Sequence, residues 1–273
     1  MSGPERAELD LVREELRELA TPVVEGAGNP EEAFGVYVFT ADQPEAELAR
    51  HIERTVFDET FGNPRELLDA EYAPYEDSTV FYCVIDHRRR LPAGMMRIIL
   101  PSARGLKTFQ VIEDAWQTDV HEMLEGTGLD WDADLAWDVT TLAVASEYRG
   151  KSTDGLISLG LYQTLVRSAL AGGARWHVTI LDMKPLELIQ TFTHGAFYGF
   201  DGLEPRSYLD SPLSIPMFVD YEEWVPRILE ADPATHDLLI GGIGIEPAMR
   251  PPAWAPLLRA LGKEAAAPSI VTR

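Results

Sequence analysis

Apolar residues recur along this chain with two periods, and the switches between them outline its elements. Leu9, Val12, Leu16 and Leu19 form one stripe among charged residues, which predicts a helix over 4–20. Residues 21–32 carry Pro22, Gly26, Gly28 and Pro30 and read as a linker. A run at 36–39 predicts a strand, and 43–57 a helix with Pro44 near its start. Residues 61–76 are rich in carboxylates and read as irregular. Apolar runs at 79–86 and 93–100 flank the basic stretch from His87 to Arg90 and predict a hairpin, whose second strand Pro101 ends. A helix over 111–124, an acidic loop over 125–134 and a strand over 137–145 follow. Next come a helix over 156–171 closed by Gly172 and Gly173, a strand over 174–181 and a helix over 185–194. Strands around 196–203 and 213–219 precede a short helix over 221–230. The Pro-rich remainder holds Trp254 and a small helix near Leu257, and its last residues read as disordered.

This order predicts an α/β (α+β) chain whose mixed sheet carries helices on both faces. Its most informative point is the junction after the strand over 137–145. Arg149, Gly150, Lys151, Ser152, Thr153 and Gly155 stand between that strand and the helix opening at Leu156. A helix start presents free N–H groups and positive potential, and two cationic side chains add full charges, so the turn is a place to hold phosphate. The plainer alternative is a surface turn closed by Gly150, with Asp154 as an ordinary N-cap. A nucleotide-hydrolysing P-loop is excluded, because the leading glycine that its motif requires ahead of Gly150 is missing.

Composition narrows the picture. The formal net charge of −22 over 273 residues argues against nucleic acid, whose binding rests on a basic surface. The same charge repels any anionic ligand unless the basic residues are gathered. Part of them fall at 87–107 and part in the turn, although Arg88 to Arg90 alone would read as a solvated hairpin tip. No apolar run approaches the roughly 20 residues of a membrane span, and the start lacks an apolar signal region. Cys83 is the single cysteine, so no disulfide framework exists and a cytoplasmic protein is expected. The six histidines show no i, i+4 pair, and no metal site is expected. A Gly-x-Ser-x-Gly elbow is missing too, which removes the Ser-His-Asp hydrolase. Oligomeric state is left open.

The element order, with the turn between a central strand and a helix, resembles the GNAT acyltransferase fold. That resemblance implies a mostly antiparallel sheet and a turn that binds the pyrophosphate or phosphopantetheine of an acyl carrier. The strand before the turn would splay from its neighbour, letting backbone N–H groups polarise a thioester carbonyl. Val144, Ala145 and residues 149–155 take the place of the family turn, with displaced glycines and one extra residue. Over 46–219 the chain also resembles N-acyl amino acid synthases and acyl-homoserine lactone synthases, through Arg54 and Phe57, the acidic segment 71–77, the hairpin to Arg97, and Leu100 with Pro101. The resemblance implies substrate contacts for Arg54, Phe57 and Arg97. It places Asp138 at an acidic position and Thr140 at a hydroxyl position, while Thr141 stands where the family has Arg. Three parts result: a helix and linker over 1–42, the acyltransferase-like domain over 43–220, and a helix and tail over 221–273.

The implied reaction moves an acyl group from acyl-CoA or acyl carrier protein to the amine of a small acceptor such as an amino acid. The thioester is a co-substrate and no tightly bound cofactor is expected. A fatty-acyl chain is favoured over acetyl by the resemblance, with an acyl carrier protein as an implied partner. An amine must be neutral to attack, so a base is needed, and Asp138 at the head of the central strand is the candidate. Its ordinary pKa of about 3.9 is low for that work unless burial raises it, and a capping or ion-paired carboxylate is the alternative. Arg97 and Arg104 either grip a substrate carboxylate or pair with nearby acids, and Phe57 also suits a core position. In many acetyltransferases of this fold a Tyr protonates the leaving thiol; here Phe192 is nearest that place, leaving Tyr198 or His194 as substitutes. Leu156, Leu159 and Leu161 suit an acyl tunnel or plain core. Two other readings stand beside this one: an acetyl-CoA-dependent N-acetyltransferase, and a catalytically silent acyl-binding protein on the same fold.

Overall fold

β-branched and aromatic runs pair into one sheet, and the amphipathic stretches between them cover its two faces. A computed structural model describes residues 3–28 and 30–262. In chain order the elements are α1 (Gly3–Gly26), β1 (Phe34–Thr40), α2 (Ala46–Phe61), α3 (Arg65–Tyr72), β2 (Thr79–Asp86), β3 (Leu91–Ile99), α4 (Lys107–Val111), α5 (Val120–Gly126), β4 (Ala136–Val144) and α6 (Leu156–Gly172). They continue as β5 (Trp176–Asp182), α7 (Met183–Phe192), β6 (Tyr198–Gly199), β7 (Arg206–Tyr208), β8 (Ser211–Asp220), α8 (Tyr221–Ala231), α9 (Pro233–His236), β9 (Met249–Arg250) and α10 (Ala255–Ala260). The nine strands run β6-β8-β5-β4-β3-β2-β1-β9, with β7 also on β8. Among the described residues, only β4–β5 and β1–β9 pair in parallel. The expected mixed, mostly antiparallel sheet is what the chain forms.

One face packs Val84, Met96, Trp137 and Val139 against Ile157, Leu161 and Leu165 of α6. That helix is apolar around most of its circumference because the segment before β9 covers its outer side. Gln163 Nε2 donates to Leu238 O at 2.7 Å, and a Cβ on Gly160 would meet Met249 at 2.9 Å. The opposite face packs Phe81, Met95 and Ala143 against α1 and α2. Farther along that face, Ala136, Trp176, Val178 and Phe218 lie beneath Leu106 and Ile112, with Trp131 stacked on Trp176. Among the described residues no helix is long and apolar enough to cross a membrane.

Several local expectations give way to packing. Residues 21–26 are helix, not linker: α1 passes through Pro22 because Ala20 and Val24 are fully buried on the sheet. Burial of this kind outweighs the hydrogen bond that Pro removes. Residues 65–72 form α3 and 73–78 a 3₁₀ turn, with Leu68 and Tyr72 supplying a short i, i+4 stripe. The helix expected over 111–124 breaks at Gln117, whose φ is 52°, and restarts where Asp119 caps Glu122 N at 3.0 Å. The strand around 196–203 shrinks to two residues. The expected disorder at the very end falls on 263–273, outside the described residues.

Trp137 is held by a glycine. A Cβ on Gly172 would come within 2.5 Å of its ring. Gly172→Ala is therefore expected to lower stability by roughly 1–3 kcal/mol despite alanine's better helix propensity, as read by urea unfolding.

Candidate active site

Two neighbouring strands part company in the middle of the sheet. β4 and β5 pair only through Ala136–Trp176, Trp137–His177 and Asp138–Val178. Beyond those rungs β4 follows β3 to Val144, while β5 follows β8 to Asp182. A wedge opens between them, lined by backbone that has left the β4–β5 ladder. A bulge contributes to the divergence: Arg97 faces Thr141 and Ile98 faces Val139, making Thr140 the extra residue.

The predicted phosphate turn lies at the mouth of this wedge. Arg149 Nε donates to Val144 O at 2.6 Å, Ser152 Oγ to Arg149 O at 2.8 Å, and Thr153 Oγ1 to Tyr148 O at 2.7 Å. These bonds fold the turn on itself and leave Arg149 and Lys151 exposed beside the start of α6. The N-cap is Gly155 at φ 78°, not Asp154, and no side chain caps the helix. Leu156 N is spent on Thr153 O at 2.9 Å, which leaves the amides of Ile157 and Ser158 without a cap.

The basic hairpin tip is fixed beside the turn. Asp86 accepts the amides of Arg88 and Arg89 at 3.0 and 2.9 Å, and the Tyr148 hydroxyl at 3.0 Å. Arg89 donates to Tyr148 Oη at 3.1 Å and pairs with Glu147 at 2.8 Å. The tip is therefore more than a solvated loop. Antiparallel pairing of Gly94 with Val144 brings it to the same end of the sheet as the turn. Arg89, Arg149 and Lys151 thus share one end of the sheet, with Asp86, Glu147 and Asp154 among them.

At the root of the wedge stands Asp138, with no exposed surface. Its carboxylate accepts the Thr108 amide at 2.6 Å and the Thr108 hydroxyl at 2.8 Å. Burial pushes its pKa up to about 6, overriding the Thr108 bonds and the nearby Lys107 charge that pull it down. Lys107 is itself buried, pairing with Glu71 at 2.7 Å and donating to Tyr208 Oη at 2.5 Å. Tyr208 donates in turn to Glu71 at 2.8 Å.

Beside this group lies a second buried lattice. Arg97 sends Nε and Nη2 to Glu53 at 3.0 and 2.6 Å and Nη1 to Glu76 at 2.8 Å. Its guanidinium lies 4.1 Å from the centre of the Tyr72 ring and 4.5 Å from that of Phe81. Thr141 Oγ1 completes Glu53 at 2.6 Å, and Arg50 holds the other side of Glu76 at 2.5 Å. Arg97 thus follows the pairing alternative. Both edges of its fork are occupied by the protein's own carboxylates.

The other sequence candidates scatter. Arg54 binds Glu47 and Asp69 along α2 and α3, and Phe57 packs on Phe61, the core alternative. Arg104 is exposed, 5.9 Å from the Tyr75 ring. Thr140 lies at the bulge, its hydroxyl 3.5 Å from Arg97 O. Tyr198 and His194 do not join the site. The row Asp138–Val178–Phe218–Tyr198 sets Tyr198 three strand spacings from Asp138, roughly 14 Å. There its hydroxyl donates to Glu223 and accepts from Arg227, while His194 is exposed and pairs with Asp232 at 3.1 Å. Among the described residues, neither has a hydrogen bond to Asp138, to β4 or to the turn.

Glu53, Thr108 and Tyr208 are the residues that sequence reasoning missed, while Glu71 and Lys107 fell within the acidic segment 71–77 and the basic segment 87–107 without a role of their own. For Glu53 a signal existed: it shares a helical face with Ala49, Ile52 and Val56, a charge at a core position. Near the same end of the sheet runs a groove of about 560 Å³, lined among others by Asp42, Glu76, Asp77, Thr79 and Leu100. Among the described residues no group of three or more His, Cys, Asp or Glu is placed to hold a metal ion.

Comparison with solved structures fits this architecture. FeeM, an N-acyl amino acid synthase from uncultured soil microbes, aligns with a TM-score of 0.54 at 16% identity, over 72% of this chain and 96% of its own. BjaI, a CoA-dependent acyl-homoserine lactone synthase solved with MTA, aligns with a TM-score of 0.50 at 17% identity, over 82% and 97%. Neither a protein-family model nor a curated protein sequence matches the chain. The likeness shows the fold alone: the chain has a GNAT-like fold.

Proposed function

We propose that this protein is an N-acyltransferase that moves an acyl group from a CoA thioester to the amine of a small acceptor. The observation that carries the reading is one wedge with a basic turn at its mouth and a buried carboxylate of raised pKa at its root. From Val144 to Val139 the strand spans roughly 16 Å, a reach that an extended pantetheine arm can follow. The basic tip beside the turn favours the several phosphates of CoA.

In this reading the neutral amine nitrogen attacks the thioester carbonyl carbon, forming a C–N bond. Amides along the open edge of β4 receive the developing oxyanion. Because the Asp138 carboxylate has no exposed surface, the proton of the attacking nitrogen reaches it through an intervening water, and collapse of the intermediate breaks the C–S bond. Amide and thiolate leave; with Tyr198 and His194 remote, the thiolate departs without a protein acid and takes a proton from water. Arg97 and Glu53 position β3, β4 and α2 around this point and do not touch the reacting atoms.

A thiol-release assay with acetyl-, medium- and long-chain acyl-CoA and acyl carrier protein, against pooled amines with mass detection, tests the reading. Amide formation from CoA esters is expected. Turnover with acyl carrier protein alone would replace the carrier, and no turnover with any donor would overturn the reaction. Lys151→Ala should raise KM for the CoA ester about 5-fold with little change in kcat, a loss on the order of 1 kcal/mol. The difference between variant and parent should shrink as salt is added.

A further inference from the structure

We infer that the chain beyond β8 builds, against the outer side of α6, a second site that binds a small monocarboxylate with an apolar tail through Arg167. This stretch lies outside the residues that resemble the synthases, and the inference does not rest on the transferase reading.

Helix α6 turns Leu161 and Leu165 to the sheet and sets Gln163 and Arg167, one turn apart, toward the segment 237–245. That segment comes so close to the guanidinium that a Cβ on Gly242 would lie 2.4 Å from Nη1 and 2.5 Å from Cζ. The Trp254 ring stands near it as well, its centre 6.0 Å from Cζ. Three parts of the chain thus meet around one partly buried cation. Among the described residues Arg167 nevertheless has neither a hydrogen bond nor an ion pair. Carboxylates were available, with 45 acidic residues to 23 basic ones, and Arg54, Arg97, Arg175 and Arg227 each hold at least one. Burial pulls the Arg167 pKa down, and the Glu246 charge offsets this only in part.

The surrounding loop has little else to offer an anion. Gly242 N and Ile243 N both donate to Asp237 O, and Gly244 N donates to Glu246 Oε2 at 2.6 Å. Gln163 pins the segment to α6 through Leu238 O, so the guanidinium is held in place before any ligand arrives. Its planar fork of N–H groups matches a carboxylate in geometry. Glu246 and the net charge of −22 weigh against a dianion such as phosphate, and a single negative charge is the better fit. Ile243, next to Gly242, and Leu170, one turn after Arg167, are exposed large apolar side chains. With Trp254 they give the rest of the ligand an apolar bed.

Calorimetry on the full chain with straight-chain carboxylates from acetate to decanoate tests this, with inorganic phosphate and hexanol as controls. One carboxylate is expected to bind per chain, more tightly as the tail lengthens from acetate to hexanoate. Phosphate and hexanol should each bind about 10-fold more weakly than hexanoate, or worse. Arg167→Met should weaken hexanoate by a similar factor. By removing an unpaired, partly buried charge it should also raise the Tm of the ligand-free protein, by about 2–4 °C. A guanidinium that served only to brace α6 would lower Tm on removal. Arg167→Lys keeps the charge without the fork, should lose about 5-fold, and keeps the test open if the Met variant fails to fold. Hexanoate binding unmoved by both substitutions, or phosphate bound as tightly as hexanoate, would overturn the inference. So would a series in which no carboxylate saturates below about 10 mM. Lys151→Ala, at the wedge mouth, should leave hexanoate binding unchanged; loss of binding there would move the carboxylate to the wedge and remove this site.

Discussion

Asp138→Asn is expected to cost 10²–10⁴ in kcat and to leave a protein at least as stable at pH 7 as its parent. The rate loss is that of a general base removed from the transition state. The stability result follows from burial. The folded pKa of about 6 lies above the ordinary aspartate value of about 3.9, so the folded protein binds this proton more tightly than the unfolded chain does. The resulting stabilisation is fully present below about pH 4 and is lost as pH rises through about 6, a difference worth about 3 kcal/mol. Asparagine carries no charge to bury. Its Oδ1 can accept the Thr108 amide and its Nδ2 can donate to the Thr108 hydroxyl, which preserves both contacts. Urea unfolding at pH 5 and pH 7 should show the parent losing stability across that interval and the variant holding it. In the same interval the parent's kcat/KM should climb, bending near pH 6. A parent profile that is level from pH 5 to 7 would remove Asp138 from the proton-transfer step.

Glu53→Ala should be the most destabilising single change in the site, at about 3–5 kcal/mol. Arg97 is 3% exposed and Glu53 1%. Deleting the carboxylate leaves a desolvated guanidinium with Glu76 as its remaining acid, and strands the Thr141 hydroxyl. Both losses occur where water cannot compensate. For a chain of this size each kcal/mol moves Tm by roughly 2–4 °C, so calorimetry should register a fall of about 10 °C. The paired change Glu53→Leu with Arg97→Met removes both charges and should recover more than half of that loss. Additive losses in the double variant would mean that the two residues are not energetically coupled.

The elements legible in the sequence were those whose signals are local. Strand β2 matches its predicted span residue for residue, and α6 opens at Leu156 and closes before left-handed Gly173, because an unbroken apolar run bounded by turn residues and a terminal glycine are signals that lie within the segment. Packing decided the rest. α1 crosses Pro22 since Val24 has a sheet to bury against, and α3 has only two buried positions to announce it. The site divides in the same way. Asp138 and the turn were readable because they flank one strand. Glu53 meets Arg97 across 44 residues, and Thr108 meets Asp138 across 30, distances over which a single sequence carries no pairing information. Tyr198 and His194 were misjudged because nearness to a helix end in sequence says nothing of the two strands, β5 and β8, that separate them from β4.

The two ends of the strand order bear on how copies of this chain meet. An exposed ladder of backbone donors and acceptors invites a neighbouring molecule to add itself as the next strand. Here β8 is fronted by β6 and β7 in tandem, and the outer rim of β1 meets β9 at Phe34 and Gly35 with α10 packed against it. The outermost segments, Tyr198–Gly199 and Met249–Arg250, are two residues long. A strand so brief offers a stranger almost no rungs to climb. Self-association that extends the sheet into a fibre is discouraged, and a stable partnership between copies would have to use the helical faces instead.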